Sequence, residues 1–455
     1  MKQPSPSFDD FDPSATAVTV VAPEPRRGRA LRLLGAALLC GLGFGAAHLA
    51  GRPSSPEPAA RAAVPEHHVA LGPPASLLVA ATPPEAAQPA APAAPSTPGH
   101  ANATTSTDHL PVDLVLCVDV SGSMEELLDA CRKQLWDVCN LFARALPTPR
   151  LRVALITFGG ESAGEENGYV RLVVPFTDEL DRVYERLMAL STGGGTELVG
   201  RALHVSLDRL DWRRDPRGLS LVFVAGNESA DQDTTFSFRA QAQKAAQRQI
   251  RVCAVYCGQD EQDADAASYR ELARLGGGRY AAIDPGAERS IPTPYDAELA
   301  RLGREINETY LPFGAHGAAR QKAQLLQDEN SARSGAATLA ARMQIKGSAA
   351  LYCNRSWDLV DACAEEDFDL AKLPDAALPR ALRGKNLAEK RALVEAQRAR
   401  RKALQDRLRA LGAQRDAFVA AERARLQGLE QSLGFALEQA VRSLAKEAGF
   451  CFDGC

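Results

Sequence analysis

Between Val112 and Ile283 the chain alternates short, nearly unbroken apolar runs with longer stretches whose apolar residues recur every three or four positions. The runs are Val112–Val118, Leu151–Phe158, Tyr169–Phe176, Leu219–Val224, Ile250–Cys257 and Arg279–Ile283. Runs this short, rich in Val, Leu and Ile, read as strands buried on both faces. The stretches between them have helical spacing. Met124–Leu146 places Leu127, Leu128, Leu135, Val138, Leu141 and Phe142 on one side, and the patterns at 178–190, 196–211, 236–249 and 265–275 behave alike, the last stopping at Gly276. This alternation predicts an α/β fold over 111–290: a doubly wound, mostly parallel six-stranded sheet flanked by helices.

Beyond about residue 290 the strand signal nearly vanishes. Helix formers dominate 295–308, 318–345 and 386–448, which predicts a helical extension over 291–385 and a helical C-terminal region over 386–455. Leu404, Leu408, Leu411 and Phe418 fall at heptad-like spacing, but Arg401 and Gln397 break the seam. The pattern predicts helical hairpins or a short coiled coil, which would offer a route to self-association.

Residues 1–32 lack periodicity and read as a disordered segment carrying Arg26, Arg27, Arg29 and Arg32 at its end. Leu33–Ala50 then holds no Asp, Glu, Lys or Arg, and its length suits a short membrane-spanning helix. The arginines place its N-terminal end in the cytoplasm, so the expectation is a single-pass signal anchor with the sheet domain periplasmic or extracellular. A cleaved signal peptide is the rival reading, against which the long leader argues. Residues 51–110, rich in Pro, Ala, Ser and Thr, read as a tether.

Charge and composition narrow the chemistry. The 455 residues carry a net charge of only −4, which argues against a nucleic-acid partner. Of seven histidines only His204 and His316 fall within expected structure, so a histidine-based metal centre or catalytic triad is hard to build. Among the ten cysteines no CxxC pair occurs. Cys117 and Cys253 read as small buried apolar residues, and Cys353 with Cys363, and Cys451 with Cys455, are candidate disulfides in an oxidising compartment.

The candidate chemistry lies just past the first strand, in Asp119-Val120-Ser121-Gly122-Ser123. Alternate residues of an extended loop point the same way, so one carboxylate and two hydroxyls converge where open α/β sheets place their ligands. Such oxygens suit a hard cation such as Mg²⁺ or another divalent ion. The bland readings are that Asp119, Ser121 or Ser123 caps the following helix and that Gly193-Gly194-Gly195 is a flexible turn.

The Asp-x-Ser-x-Ser sequence at a strand end, with Gly193-Gly194-Gly195-Thr196 downstream, resembles the metal-ion-dependent adhesion site (MIDAS) of von Willebrand factor A domains. The resemblance covers about 112–285. It implies that Thr196 supplies a further metal oxygen and that an acidic residue of a protein ligand completes the coordination. It also implies an aspartate after the fourth strand, where this chain has Gly226, with Asn227 and Glu228 as the nearest replacements and Asp231 and Asp233 further on. Ser356–Ala362 resembles segments following such domains in uncharacterised bacterial membrane-anchored proteins, and Trp357 reads as a packing anchor. The expected function is a membrane-anchored, externally displayed, non-enzymatic module that binds a protein ligand through a metal at Asp119, Ser121, Ser123, Thr196, Asn227 and Glu228. The alternative is an assembly scaffold with a degenerate metal site and a recruiting helical C-terminus. An enzyme using metal-activated water is disfavoured by the lack of a histidine base.

Overall fold

The computed structural model describes residues 109–258, 263–426 and 429–452. Six strands form one sheet: β1 (Pro111–Asp119), β2 (Arg150–Phe158), β3 (Arg171–Thr177), β4 (Leu219–Gly226), β5 (Ile250–Cys257) and β6 (Gly277–Ile283), in the order β3-β2-β1-β4-β5-β6. All neighbours run parallel except β3, which pairs antiparallel with β2. The apolar runs were therefore strands, and their near-continuous hydrophobicity has its cause in two covered faces. Even-numbered residues of β1 (Val112, Leu114, Val118) enter one core, and Val115 and Cys117 enter the other.

The second face is covered by α3 (Val199–Asp208), α4 (Phe238–Gln247) and α5 (Ala264–Leu275), through Leu203, Phe238 and Tyr269 among others. The first face is covered by α1 (Glu125–Ala143), α2 (Leu180–Met188) and one helix from far along the chain, α11 (Leu433–Glu447). Leu433, Leu437, Val441 and Leu444 of α11 join Phe223, Cys253, Val255 and Ile283 in one apolar cluster. Glu288, just after β6, fixes this docking: its carboxylate accepts from the Gly434 backbone N–H at 3.0 Å and from Gln134 at 2.7 Å.

Between β6 and α11 lie α6 (Asp296–Asn307), α7 (Gly317–Ser334), α8 (Ala336–Ile345), the short α9 (Leu359–Ala362) and α10 (Leu387–Arg425). The stretch 318–345, where helix formers dominate, divides into two helices at Gly335, whose φ of +129° disfavours any side chain. The helical character expected over 386–448 is present, as the 39-residue α10 followed by α11. Leu404 and Leu408 of α10 pack with Leu299, Leu302, Ile306 and Met343 of α6 and α8, so the heptad-like seam is satisfied within the chain. Arg401, which looked like a break in that seam, is buried and donates to Asp358 and Asp361 at 2.6 Å each. Trp357 is buried against Tyr310, with ring centroids 5.4 Å apart, as a packing anchor.

Two further expectations change. Cys353 and Cys363 are free, whereas Cys451 is disulfide-bonded. The single-pass membrane localisation is corrected: among the described residues no helix is long and apolar enough to cross a membrane. The longest, α10, is studded with Arg, Lys and Glu. The run at 33–50, like the rest of residues 1–108, lies outside the described residues.

Candidate metal centre

Asp119 ends β1, the strand between β2 and β4 at the centre of the sheet, and is fully buried. Its Oδ1 accepts the backbone N–H of Ser121 at 2.8 Å, which folds the loop back so that the Ser121 and Ser123 hydroxyls lie 3.4 Å apart. Helix α1 starts at Glu125 without any side-chain cap, so none of the three oxygens is committed to capping.

The glycine run is pinned. Gly193 N–H donates to Val120 C=O at 2.9 Å, Gly122 N–H to Gly194 C=O at 3.2 Å, and Glu161 N–H to Gly193 C=O at 3.3 Å. Gly194 has a φ of +99°, and a Cβ there would lie 2.5 Å from the Gly159 carbonyl oxygen. Glycine is thus required for the close approach that brings Thr196, bridged to Gly159, beside the serines. Thr196 and Ser123 are exposed and Ser121 is buried, so the oxygen set runs from the interior to the surface.

Asn227 enters this set: its Nδ2 donates to Ser123 Oγ at 3.3 Å, and its buried Oδ1 receives no donor. Glu228 is exposed and accepts from Gln232 Nε2 at 2.8 Å. Asp233 is buried, its Oδ1 accepting from the Thr235 and Phe236 backbone, and Asp231 pairs with Arg239.

Two participants were not singled out from the sequence. Glu197, next to Thr196, is fully buried beside Asp119, and neither of its carboxylate oxygens has a donor. Tyr269 of α5 is fully buried with its hydroxyl unpartnered. Gly226, already marked in the sequence, lies between Tyr269 and Asp119: a Cβ there would lie 2.5 Å from the Tyr269 hydroxyl and 3.3 Å from Asp119 Oδ2. The apolar residues flanking Glu197 gave no sign that its carboxylate turns inward.

Burial raises the pKa of Asp119 and, with the facing Asp119 carboxyl, pushes Glu197 up to about 9. Asp119 Oδ2, both Glu197 oxygens and Asn227 Oδ1 are buried without a well-formed hydrogen bond, a situation that a proton shared by the two carboxyls or a cation between them resolves. Among the described residues no three His, Cys, Asp or Glu side chains gather around one ion-sized space, so hydroxyls and water must complete any shell. That set of hard oxygens fits a divalent ion such as Mg²⁺.

A pH dependence follows for the metal-free protein. A carboxyl whose folded pKa lies above its unfolded value binds more protons in the native state, so stability falls as pH rises from about 4.5 towards about 9. In EDTA the melting temperature is expected to drop between pH 5 and 8.5 more steeply than in an Asp119→Asn/Glu197→Gln variant. Saturating Mg²⁺ should flatten the wild-type profile, since the cation replaces the shared proton. Identical EDTA profiles for wild type and variant would contradict the pairing.

Residues 113–287 match the family model for the von Willebrand factor type A domain. No curated protein sequence matches the chain. Among solved structures, proximal thread matrix protein 1 from the mussel byssus, with a zinc-occupied MIDAS motif, aligns at 11% identity and a TM-score of 0.32, over 39% of this chain and 43% of that one. The VWA domain of SpRpn10 aligns at 12% identity and 0.30, over 39% and 89%. Manganese-loaded TRAP protein from Plasmodium vivax aligns at 18% and 0.27, over 39% and 69%. The chain thus spans about two fifths of the mussel protein.

Proposed function

We propose that the von Willebrand factor type A domain carried by residues 113–287 is a non-enzymatic docking module that binds a protein ligand through Mg²⁺ or another divalent cation. The observation that supports this reading is the cluster of buried, donor-less oxygens around Asp119 beneath the exposed Ser123 and Thr196. Asp119 holds the inner side of the centre. Ser121 and Ser123 line its floor, and Thr196, Asn227 and Glu228 border its open side. The bound ion supplies a positive charge on which a partner's carboxylate can replace water.

The rim refines the partner. Glu125, which accepts from Thr192, Glu161, whose N–H donates to Gly193, and Glu228, beside Asn227, are all exposed next to the centre. A lone acidic surface would be repelled, so the expected ligand presents its carboxylate among basic residues. The scaffold reading needs a free helical C-terminus, and the packing of Leu404 and Leu408 inside the chain argues against it.

Titrating the metal-free chain with Mg²⁺ tests the metal step. Wild type should show saturable heat by calorimetry and a rise in melting temperature reversed by EDTA, as any ligand of the native state alone requires. Asp119→Ala should lose both. Absence of any Mg²⁺ or EDTA response in wild type would end this reading.

A further inference from the structure

Gly226 leaves the centre without a carboxylate on β4, and the surrounding packing shows that none can be restored there simply. The space beside its Cα is filled by the Tyr269 hydroxyl, the Phe158 ring edge at 3.2 Å and Asp119 Oδ2. The charge missing from β4 is nevertheless present nearby. A Cβ placed on Gly159 would lie 2.6 Å from Asp119 Oδ1, 3.3 Å from Glu197 Cγ and 3.3 Å from Ser121 Cβ, so these three side chains crowd one small volume above Gly159. Glu197 has no solvent exposure, its carboxyl faces Asp119 and Ser121, and neither oxygen meets a well-formed hydrogen bond. Its backbone is held by Gln232, whose Oε1 accepts the Glu197 N–H at 3.2 Å, and Gln232 in turn donates to Glu228 on the rim.

An ionised carboxylate in that position lacks a balancing positive charge. It caps no helix and pairs with no cation of the chain, although Arg201 and Arg239 lie on neighbouring elements and pair instead with Asp233, Asp231 and Glu271. Two buried carboxyls side by side cost stability unless a proton or a cation is shared between them.

We infer that Glu197 is the second carboxylate ligand of the metal centre, replacing the aspartate that Gly226 displaces. This inference rests on the proposed cation-binding role of the Asp119 loop. A second carboxylate tightens the hold on a divalent ion, so the centre binds its cation before a partner's acidic side chain arrives. Gly226 and Tyr269 then belong to the same arrangement: a small residue on β4 and a hydroxyl in the space it leaves, with the charge moved to the Gly193–Thr196 loop.

Mg²⁺ itself is the probe, with isothermal calorimetry on the full chain as readout and circular dichroism to confirm folding. Glu197→Gln keeps the size of the side chain and should bind Mg²⁺ at least roughly 10-fold more weakly than wild type. Glu197→Ala should do the same, and Glu395→Gln, at an exposed position on α10, should bind as wild type does. Adding Gly226→Asp with Tyr269→Phe to Glu197→Gln clears the space on β4 and should recover affinity. Wild-type affinity in folded Glu197→Gln would overturn the assignment of Glu197 while leaving the Asp119 centre standing. If wild type itself binds no Mg²⁺ at millimolar concentration, the cation-binding reading fails and this inference fails with it.

Discussion

A fragment ending at residue 290 is expected to be insoluble or molten, although it contains every strand and the whole of the family match. The reason is α11. Leu433, Leu437, Val441 and Leu444 are all at most 7% exposed and cover the face formed by Phe223, Cys253, Val255 and Ile283. Burying a side chain of this size contributes about 1.5–3 kcal/mol, so four of them contribute roughly 6–12 kcal/mol. That is comparable with the whole net stability of a domain, about 5–15 kcal/mol. Near-ultraviolet circular dichroism and dye binding on the 109–290 fragment would show lost tertiary packing and exposed apolar surface. A soluble fragment with a cooperative melt would refute the role given to α11. In the full chain the corresponding point change, Leu444→Ala, should cost about 2–5 kcal/mol by chemical denaturation. The same packing makes deletion of residues 386–455 unsuitable for asking what the C-terminal region recruits.

The second large effect is expected at Arg342. Its guanidinium is fully buried in α8, donates to Asp328 of α7 at 2.6 Å, pairs with Asp181 of α2, and lies over the Trp136 ring at 4.7 Å. Lys346, also fully buried, donates to both Asp328 oxygens at 2.8 and 2.9 Å. The cluster joins the sheet domain to the helical extension. Arg342→Ala leaves Asp181 short of its cation and opens space against Trp136, so a loss of about 3–5 kcal/mol is expected in urea unfolding. Tyr352 still donates to Asp181 at 2.6 Å, and Arg342→Lys cannot form the forked contact to two carboxylates, so it should recover only part of the loss. A loss below about 1 kcal/mol for Arg342→Ala would place the cluster among surface ion pairs, whose contributions are of that size.

The sheet was legible because its strands are buried on both sides, which makes hydrophobicity nearly continuous and leaves little ambiguity of type. The DxSxS loop was legible for a related reason: a carboxylate and two hydroxyls directly after such a strand have few other uses, and the absence of a helix cap confirms that they are not used that way. What the sequence concealed depends on contacts between distant segments. Nothing around Leu433 marks it as a cover for β4 and β5 rather than part of a separate bundle. Arg401 looked like a defect in an apolar seam because its carboxylate partners lie some forty residues upstream. Glu197 drew no attention because its burial depends on Gly159, a residue of a distant segment whose missing side chain leaves it room.

The separation between β6 and α11 also governs the order in which the molecule can form. Roughly 150 residues lie between the last strand and the helix that shields it. At about 5–20 residues per second, a ribosome needs on the order of 10–30 s to deliver that helix after the sheet has emerged. Throughout that interval Phe223, Val255 and Ile283 lack their cover. The nascent chain is therefore exposed to aggregation at a predictable stage, and holding chaperones should engage it after β6 is made and leave it once residue 447 has cleared the tunnel.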